Sequence, residues 1–333
     1  LFVRTGQLLD TIKMMTRNSG YALRFVTDEH HWPDNPMQHN SEINEYTGDE
    51  NTTIELLKKV EIAAIHMAGI SEKVLDAATK LKLVACARGG AVNVNLAAAT
   101  RRNIIVSNAP GRNSQAVSEY TVALIISITR GLFFGYRELT TKSIWRTDLY
   151  RYKTVGKELA SQTVGLVGFG SIGQLTASLL KTFGTRVIAY DPYIRSEIFE
   201  KNGVEQCDLD VLLTQADVVS LHARHKPGDR PLIGASELDL AGPNTYIIQT
   251  ARSPLLDYES LAQALAENKI AGAAIDVFPN EPLPKGHPLT SSPNIVLTPH
   301  IAGASRGSAY RGSLMAAQSI AAYLDEKPIP YLL

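Results

Sequence analysis

The sequence predicts a two-domain α/β protein whose parallel sheets carry helices on both faces. Three observations lead there. Short apolar, β-branched runs alternate with helical stretches along most of the chain, the signature of strand–helix–strand units. From residue 163 onward the alternation becomes regular and yields six strand candidates in succession. The length of 333 residues exceeds what one ordinary core organises, so two domains fit it better.

Composition narrows the partners. Thirty-three Lys and Arg residues balance thirty-three Asp and Glu residues, with no basic block. Such a chain has no net field to draw it to nucleic acid or an anionic membrane, and neither partner is expected. No apolar run reaches the roughly 18 residues that a spanning helix needs. The two cysteines, Cys86 and Cys207, lie far apart and match no metal-ligand spacing, so a reducing cytoplasm and no metal are expected. The chain begins at Leu1 rather than Met, and preceding residues are expected. No further domain is read after the last helix.

In chain order, AIHMAG, KLVACA and NIIVSN are the strand candidates of the first third, and SEKVLDAATK is a helix capped by Ser71. SNAPGRNSQ, residues 107 to 115, is rich in turn formers and reads as a hinge. The run 116–134 reads as one helix, apolar all round and therefore buried between domains or subunits. TVGLVGF, RVIAYD, ADVVSLH, TYIIQTA, AGAAIDVF and NIVLTP follow as strands, with helices such as SIGQLTASLLKTFG and DYESLAQALAEN between them. The Ala-rich helix from residue 307 can cross back to the first domain, which places the two crossings near residues 108 and 302.

The strongest local motif is VGLVGFGSIG, in which Gly168, Gly170 and Gly173 have the G-x-G-x-x-G spacing. The spacing alone is weak, but here a strand enters it and a helix leaves it. A second strand ends at Asp191, eighteen residues beyond Gly173. Each part has a physical task in dinucleotide binding. Gly168 permits the tight turn, Gly170 admits a pyrophosphate and Gly173 lets helix and strand pack closely. The helix start offers N–H groups and partial positive charge to the phosphates. Asp191 accepts hydrogen bonds from ribose hydroxyls and repels a 2′-phosphate, favouring NAD over NADP.

Three further segments place chemistry at carboxyl ends of strands, where open parallel sheets bind ligands. IIQTARSPLLD supplies Arg252, AIDVFPNEPLP supplies Asp276 and Glu281, and LTPHIAG supplies His300. With these motifs in this order, the chain resembles the NAD-dependent D-isomer-specific 2-hydroxyacid dehydrogenases. That family includes phosphoglycerate, glyoxylate/hydroxypyruvate and D-lactate dehydrogenases. The resemblance runs from about residue 62 to residue 325. It implies a Rossmann-type doubly wound parallel sheet inserted in a flavodoxin-like α/β substrate domain formed by both chain ends. Residues 1–108 and 302–333 would bind substrate and residues 109–301 would bind NAD.

The resemblance implies reversible hydride transfer between NAD and a small 2-hydroxy or 2-oxo acid, with Arg252, Glu281 and His300 as the catalytic set. His300 would exchange the carbonyl proton. Glu281 would favour the charged imidazole, and Arg252 would hold the substrate carboxylate or polarise its carbonyl. Gly168, Gly170, Ser171, Ile172, Gly173, Asp191, Thr250, Ala251 and Asp276 are the expected cofactor-binding positions. Asp276 positions the histidine or the cofactor. Arg88, Gly89, Gly90 and Ala91, in CARGGAVNVN, are the expected substrate-binding positions, their N–H groups forming an anion nest. Arg88 reads either as a contact to a distal phosphate or hydroxyl or as a surface residue.

The chain departs from the family at Tyr120, Asn93 or Asn95, Ser253 and the basic stretch Arg224, His225 and Lys226. These changes leave the reaction class intact and bear on substrate identity and cofactor preference. Glu281 stands where the related formate dehydrogenases have glutamine, which argues for proton-transfer chemistry. The segment from Tyr136 to Leu159, with Trp145, Tyr150 and Tyr152, resembles the family's dimer arm, and a homodimer is expected. The alternative reading is a non-enzymatic NAD-sensing protein on the same fold.

Overall fold

The structure, a computed structural model, describes residues 3–29, 37–225 and 228–333. Lys226 of the basic stretch lies outside them. The chain divides into two compact units, Leu1–Asn113 with Ala304–Leu333, and Ser114–Gly303. The crossings thus fall slightly later than residues 108 and 302.

The first unit is built on three parallel strands, β1 (Ile62–Ile65), β2 (Leu83–Cys86) and β3 (Ile105–Ser107), in sequence order. Strand residues alternate between two cores, as a sheet covered on both faces requires. Ala63, Ile65, Val84 and Val106 meet Val74, Leu75, Ala98 and Ala99 from the helices Glu72–Ala77 and Leu96–Arg101. Leu83 and Ala85 meet Leu8 and Ile12 of helix Thr5–Thr16, together with Ala316, Ala317 and Ile320 of helix Arg306–Leu324. Both chain ends therefore complete one face of this sheet. Ser71 caps its helix by accepting from the Val74 N–H, as expected. A full flavodoxin-like sheet has five strands. Here residues 21–29 form none, and Ser107 instead bridges antiparallel to Leu332.

The second unit carries seven parallel strands. These are β4 (Thr163–Val167), β5 (Arg186–Tyr190), β6 (Glu205–Gln206), β7 (Val218–Leu221), β8 (Tyr246–Gln249), β9 (Gly272–Ile275) and β10 (Ile295–Leu297). Their order is β10-β9-β8-β7-β4-β5-β6, a doubly wound sheet that reverses direction between β4 and β7. Six of them are the sequence candidates. The seventh, β6, is a two-residue exposed edge strand, too short and polar to show a pattern. Neighbouring residues again enter opposite cores: Val167, Ile188, Val219, Ile247 and Ala273 on one face, Leu166, Val187, Val218, Ile248 and Ala274 on the other.

One expectation is corrected. Residues 116–134 do not form one helix, because Gly131 takes a left-handed conformation (φ 65°) between helices Ser114–Thr129 and Leu132–Lys142. The first of these packs into its own unit. Its Val122, Leu124, Ile125 and Ile128 lie in the unit's own core with Val164 and Leu166. Part of its hydrophobicity therefore serves this core. No single helix among the described residues is long and apolar enough to cross a membrane.

Two histidines make the fold acid-sensitive. Burial pushes His222 down from 6.5 to about 4. Burial, aided by Arg112 and Arg88, pushes His66 to about 3. Both remain neutral in the folded chain while the unfolded chain protonates them below 6.5. Their stabilising contribution is therefore complete above that value and is lost as pH falls toward the folded values. The melting midpoint should fall between about pH 6.5 and pH 5, and the slope should shrink in His222→Gln. A midpoint that is flat across that window contradicts this account.

Candidate active site

All the second unit's candidate residues follow carboxyl ends of its strands, because parallel pairing points every such end the same way. β4 runs into the glycine loop, and each glycine meets a different constraint. Gly168 has φ +103°, and a Cβ there would lie 2.4 Å from the Ala223 nitrogen. A Cβ on Gly173 would lie 2.4 Å from the Gly168 carbonyl oxygen, so only glycine lets helix Ser171–Thr182 approach the loop. Gly170 has open space above it. The N–H groups of Ser171, Ile172 and Gly173 precede the helix's first internal bond, from Gln174 N–H to the Gly170 oxygen, and remain for a ligand. These features fit a pyrophosphate: an open approach, three N–H groups and a positive helix end. Asp191, at the end of β5, accepts from the N–H groups of Phe169 (2.8 Å) and Tyr193 (2.9 Å), one on each carboxylate oxygen. The carboxylate is held still, with lone pairs left for ribose hydroxyls.

The turn after β8 is set by Gln249, fully buried. Its amide oxygen accepts from the Ala251 N–H (2.9 Å) and its amide nitrogen donates to the Arg252 carbonyl (3.0 Å). Thr250 shares a hydroxyl contact of 3.0 Å with Thr121 of the apolar helix. Arg252 is left exposed, with Nη1 donating to the Ala251 carbonyl at 2.9 Å.

Asp276, fully buried after β9, gathers the loop after β10. One carboxylate oxygen accepts from the Thr298 hydroxyl (2.6 Å) and the Ile301 N–H (3.0 Å), the other from the Ala302 N–H (2.8 Å). His300 stands inside this turn at φ +53°, a conformation rare for a side chain of its size. Its Nδ1 lies 2.7 Å from Glu281 Oε2, while Glu281 Oε1 accepts from the Phe278 N–H at 2.9 Å. Burial pushes the Glu281 carboxyl up, but the His300 contact, the Phe278 N–H and the nearby Arg252 charge outweigh it and hold the group below its ordinary 4.5. Arg252, Glu281 and His300 are thus one electrostatic group. Asp276 anchors the histidine turn, and its bonds run to that turn.

In the first unit, the turn after β2 presents Gly89, Gly90 and Ala91, whose N–H groups donate to no acceptor among the described residues. Arg88 is turned away from this role. It is 9% exposed, with Nη1 donating to the Glu45 carbonyl and Nη2 paired with the Glu45 carboxylate. Asn93 is equally committed, its amide donating to the Ala68 carbonyl at 2.8 Å, and Asn95 caps the next helix. Gln249, Thr298 and Thr121 are supporting residues that the sequence did not single out. Each is a polar residue among apolar neighbours, which was the available signal.

A doubly wound sheet with this glycine loop and an Arg–Glu–His group at its carboxyl edge defines a nicotinamide-dinucleotide dehydrogenase. Residues 122–302 match the D-isomer specific 2-hydroxyacid dehydrogenase, NAD binding domain. The chain is 38% identical over 264 residues to a glyoxylate reductase of Thermofilum pendens, covering 79% of this chain and 78% of that protein. It is 37% identical over 274 residues to a D-3-phosphoglycerate dehydrogenase of Methanocaldococcus jannaschii, covering 80% of this chain but 51% of that protein. The crystal structure of the TT0316 protein from Thermus thermophilus superposes with a TM-score of 0.75 at 31% identity, over 86% of this chain and 90% of that one. The chain belongs to the D-isomer specific 2-hydroxyacid dehydrogenase family. It is an NAD-dependent oxidoreductase acting on CH–OH groups.

The glycine geometry separates binding from folding. Gly170→Val should weaken NAD binding more than about tenfold with little change in melting temperature, since its Cβ enters open space that the ligand needs. Gly173→Val should lower both, since its Cβ enters occupied space. Calorimetric titration with NAD and thermal melts distinguish the two. Equal effects of both substitutions on melting would contradict the assignment.

Proposed function

We propose that the protein reduces a small 2-oxo acid to its D-2-hydroxy acid, and runs the reverse reaction, with His300 as the proton donor and acceptor. The observation that carries this reading is the 2.7 Å Glu281–His300 contact within range of Arg252 at the carboxyl edge of the sheet. Bound NADH supplies the hydride. The chain supplies the proton and the orientation. With Nδ1 donating to Glu281, the imidazole is fixed in ring plane and tautomer, and Nε2 exchanges the proton with the substrate oxygen. Glu281 stabilises the imidazolium by its charge. Arg252 offers a planar fork to the substrate carboxylate or carbonyl. The uncommitted N–H groups of Gly89, Gly90 and Ala91 are suited to a carboxylate. Residues of the first unit thus bind substrate in this reading, and those of the second bind NAD.

The names of the relatives favour glyoxylate or phosphoglycerate-type acids as starting points. His300→Ala and Arg252→Ala should each lower kcat/KM by about a hundredfold or more while leaving melting temperature within a few degrees. The assay is NADH consumption with glyoxylate, hydroxypyruvate, pyruvate and 3-phosphohydroxypyruvate. Near-wild-type turnover in either variant would overturn the roles assigned. Tight NADH binding with no turnover of any acid would favour the sensing role instead.

The same reading includes a homodimer. Trp145, Tyr150 and Tyr152 are 68%, 81% and 96% exposed, which suits anchoring residues for a second copy. Light scattering should give twice the chain's 36.2 kDa, and a mass that stays at one chain at micromolar concentration contradicts it.

A further inference from the structure

Glu281 is held by the Phe278 N–H, and that N–H is itself held from one step further out, by Tyr258. This tyrosine opens the helix Tyr258–Ala266. Asp257 caps the helix by accepting from the Glu259 N–H (3.0 Å) and the Ser260 N–H (3.1 Å), which fixes where its first residue stands. Tyr258, Leu261, Ala264 and Leu265 are buried, at the spacing of one helix face. They join the core cluster that also holds Ile275 and Phe278. Tyr258 is thereby brought, 6% exposed, against the chain leaving β9, with its ring centroid 6.5 Å from that of Phe278.

A buried phenol needs a partner for its hydroxyl. This one donates to the Val277 carbonyl at 2.6 Å, and the Gln249 side chain hydrogen-bonds the same phenol. The choice of carbonyl matters. The Val277 C=O and the Phe278 N–H belong to one peptide group, and a peptide group is planar. Holding its oxygen on one side aims its N–H at the other. There Glu281 Oε1 accepts at 2.9 Å, and Glu281 Oε2 meets His300 Nδ1 at 2.7 Å. Phenol, peptide, carboxylate and imidazole form one hydrogen-bonded line. A peptide that accepts at its oxygen donates more strongly from its nitrogen, because hydrogen bonds in a chain polarise one another. The phenol keeps its proton for this task. Burial first, then the Glu281 charge, push its ionisation up, and the Gln249 bond offsets only part of the rise.

We infer that Tyr258 is a positioning residue for the proton-exchanging pair, holding Glu281 against His300 through the Val277–Phe278 peptide. The inference rests on the roles given to Glu281 and His300 under Proposed function. Asp276 fixes the histidine turn from one side, and Tyr258 fixes the carboxylate from the other. The two partners of the pair are thus anchored independently, each from the core of the same unit.

The test is Tyr258→Phe, which removes the hydroxyl and keeps the ring. Melting curves check folding, and NAD affinity by calorimetric titration should stay within about twofold, since the glycine loop does not use this peptide. The kcat/KM for the oxo acid reduced fastest should fall about three- to tenfold, as for one lost hydrogen bond. The pH at which that rate declines should move down, because a carboxylate no longer held against the imidazole favours its charged form less. In a Glu281→Gln background, adding Tyr258→Phe should change the rate by no more than about twofold and leave the pH profile where it is, because the charge it acts through is already gone. If the phenylalanine variant does not fold, NMR of the wild type decides: the Phe278 amide and the Tyr258 ring carbons should shift together as His300 titrates. An unmoved profile in Tyr258→Phe, full additivity of the two substitutions, or a Tyr258 ring that does not respond overturns the inference and leaves the dehydrogenase reading standing. If Glu281→Gln itself leaves the profile unmoved, or no oxo acid is reduced, the reading beneath it fails and the inference falls with it.

Discussion

The site depends on one buried carboxylate. Asp276 accepts three hydrogen bonds from Thr298, Ile301 and Ala302, and these bonds force the chain around His300. Holding a histidine at φ +53° costs on the order of 1 kcal/mol or more. Each hydrogen bond contributes about 0.5–1.5 kcal/mol net, so three of them together outweigh that cost. Its result is functional. The imidazole is projected from a rigid strand end toward Glu281, which its own loop fixes through the Phe278 N–H.

The sheet gives this anchor its place. Seven parallel strands end on one edge, so the glycine loop, Asp191, the Gln249-clamped turn and the histidine turn all emerge on the same side. Both faces of the sheet are sealed by apolar residues in strict alternation. Polar groups at the edge are consequently the ones left to bind and react. Gln249 and Thr121 show how the core extends its rigidity outward. They tie the Thr250–Arg252 turn to the strand and to the central helix.

Much of this was legible in the chain. The glycine spacing, the strand before it and the helix after it made the glycine turn legible, and the placement of Arg252, Glu281 and His300 after successive strands brought them to one edge. Periodicity could not show direction. Arg88 reads as a substrate contact in sequence but turns to Glu45, forty-three residues earlier in the chain. Arg112 reads as part of a hinge, yet Gly312, from the far end of the chain, makes space for it. Both facts depend on long-range packing. The helix broken at Gly131 was misread because all-round hydrophobicity signals burial without saying what buries it. The edge strand Glu205–Gln206 escaped because two exposed residues carry no period.

The central claim is that Glu281 tunes His300 as the proton-exchanging group. The direct measurement is the pH dependence of kcat/KM for oxo-acid reduction by wild type and Glu281→Gln. With His300 as the proposed proton donor, the rate should decline as pH rises through its ionisation. Without the carboxylate, that decline should move to lower pH, alongside a loss in rate. An unshifted decline in the glutamine variant would show that His300 titrates independently of Glu281 and would contradict the account.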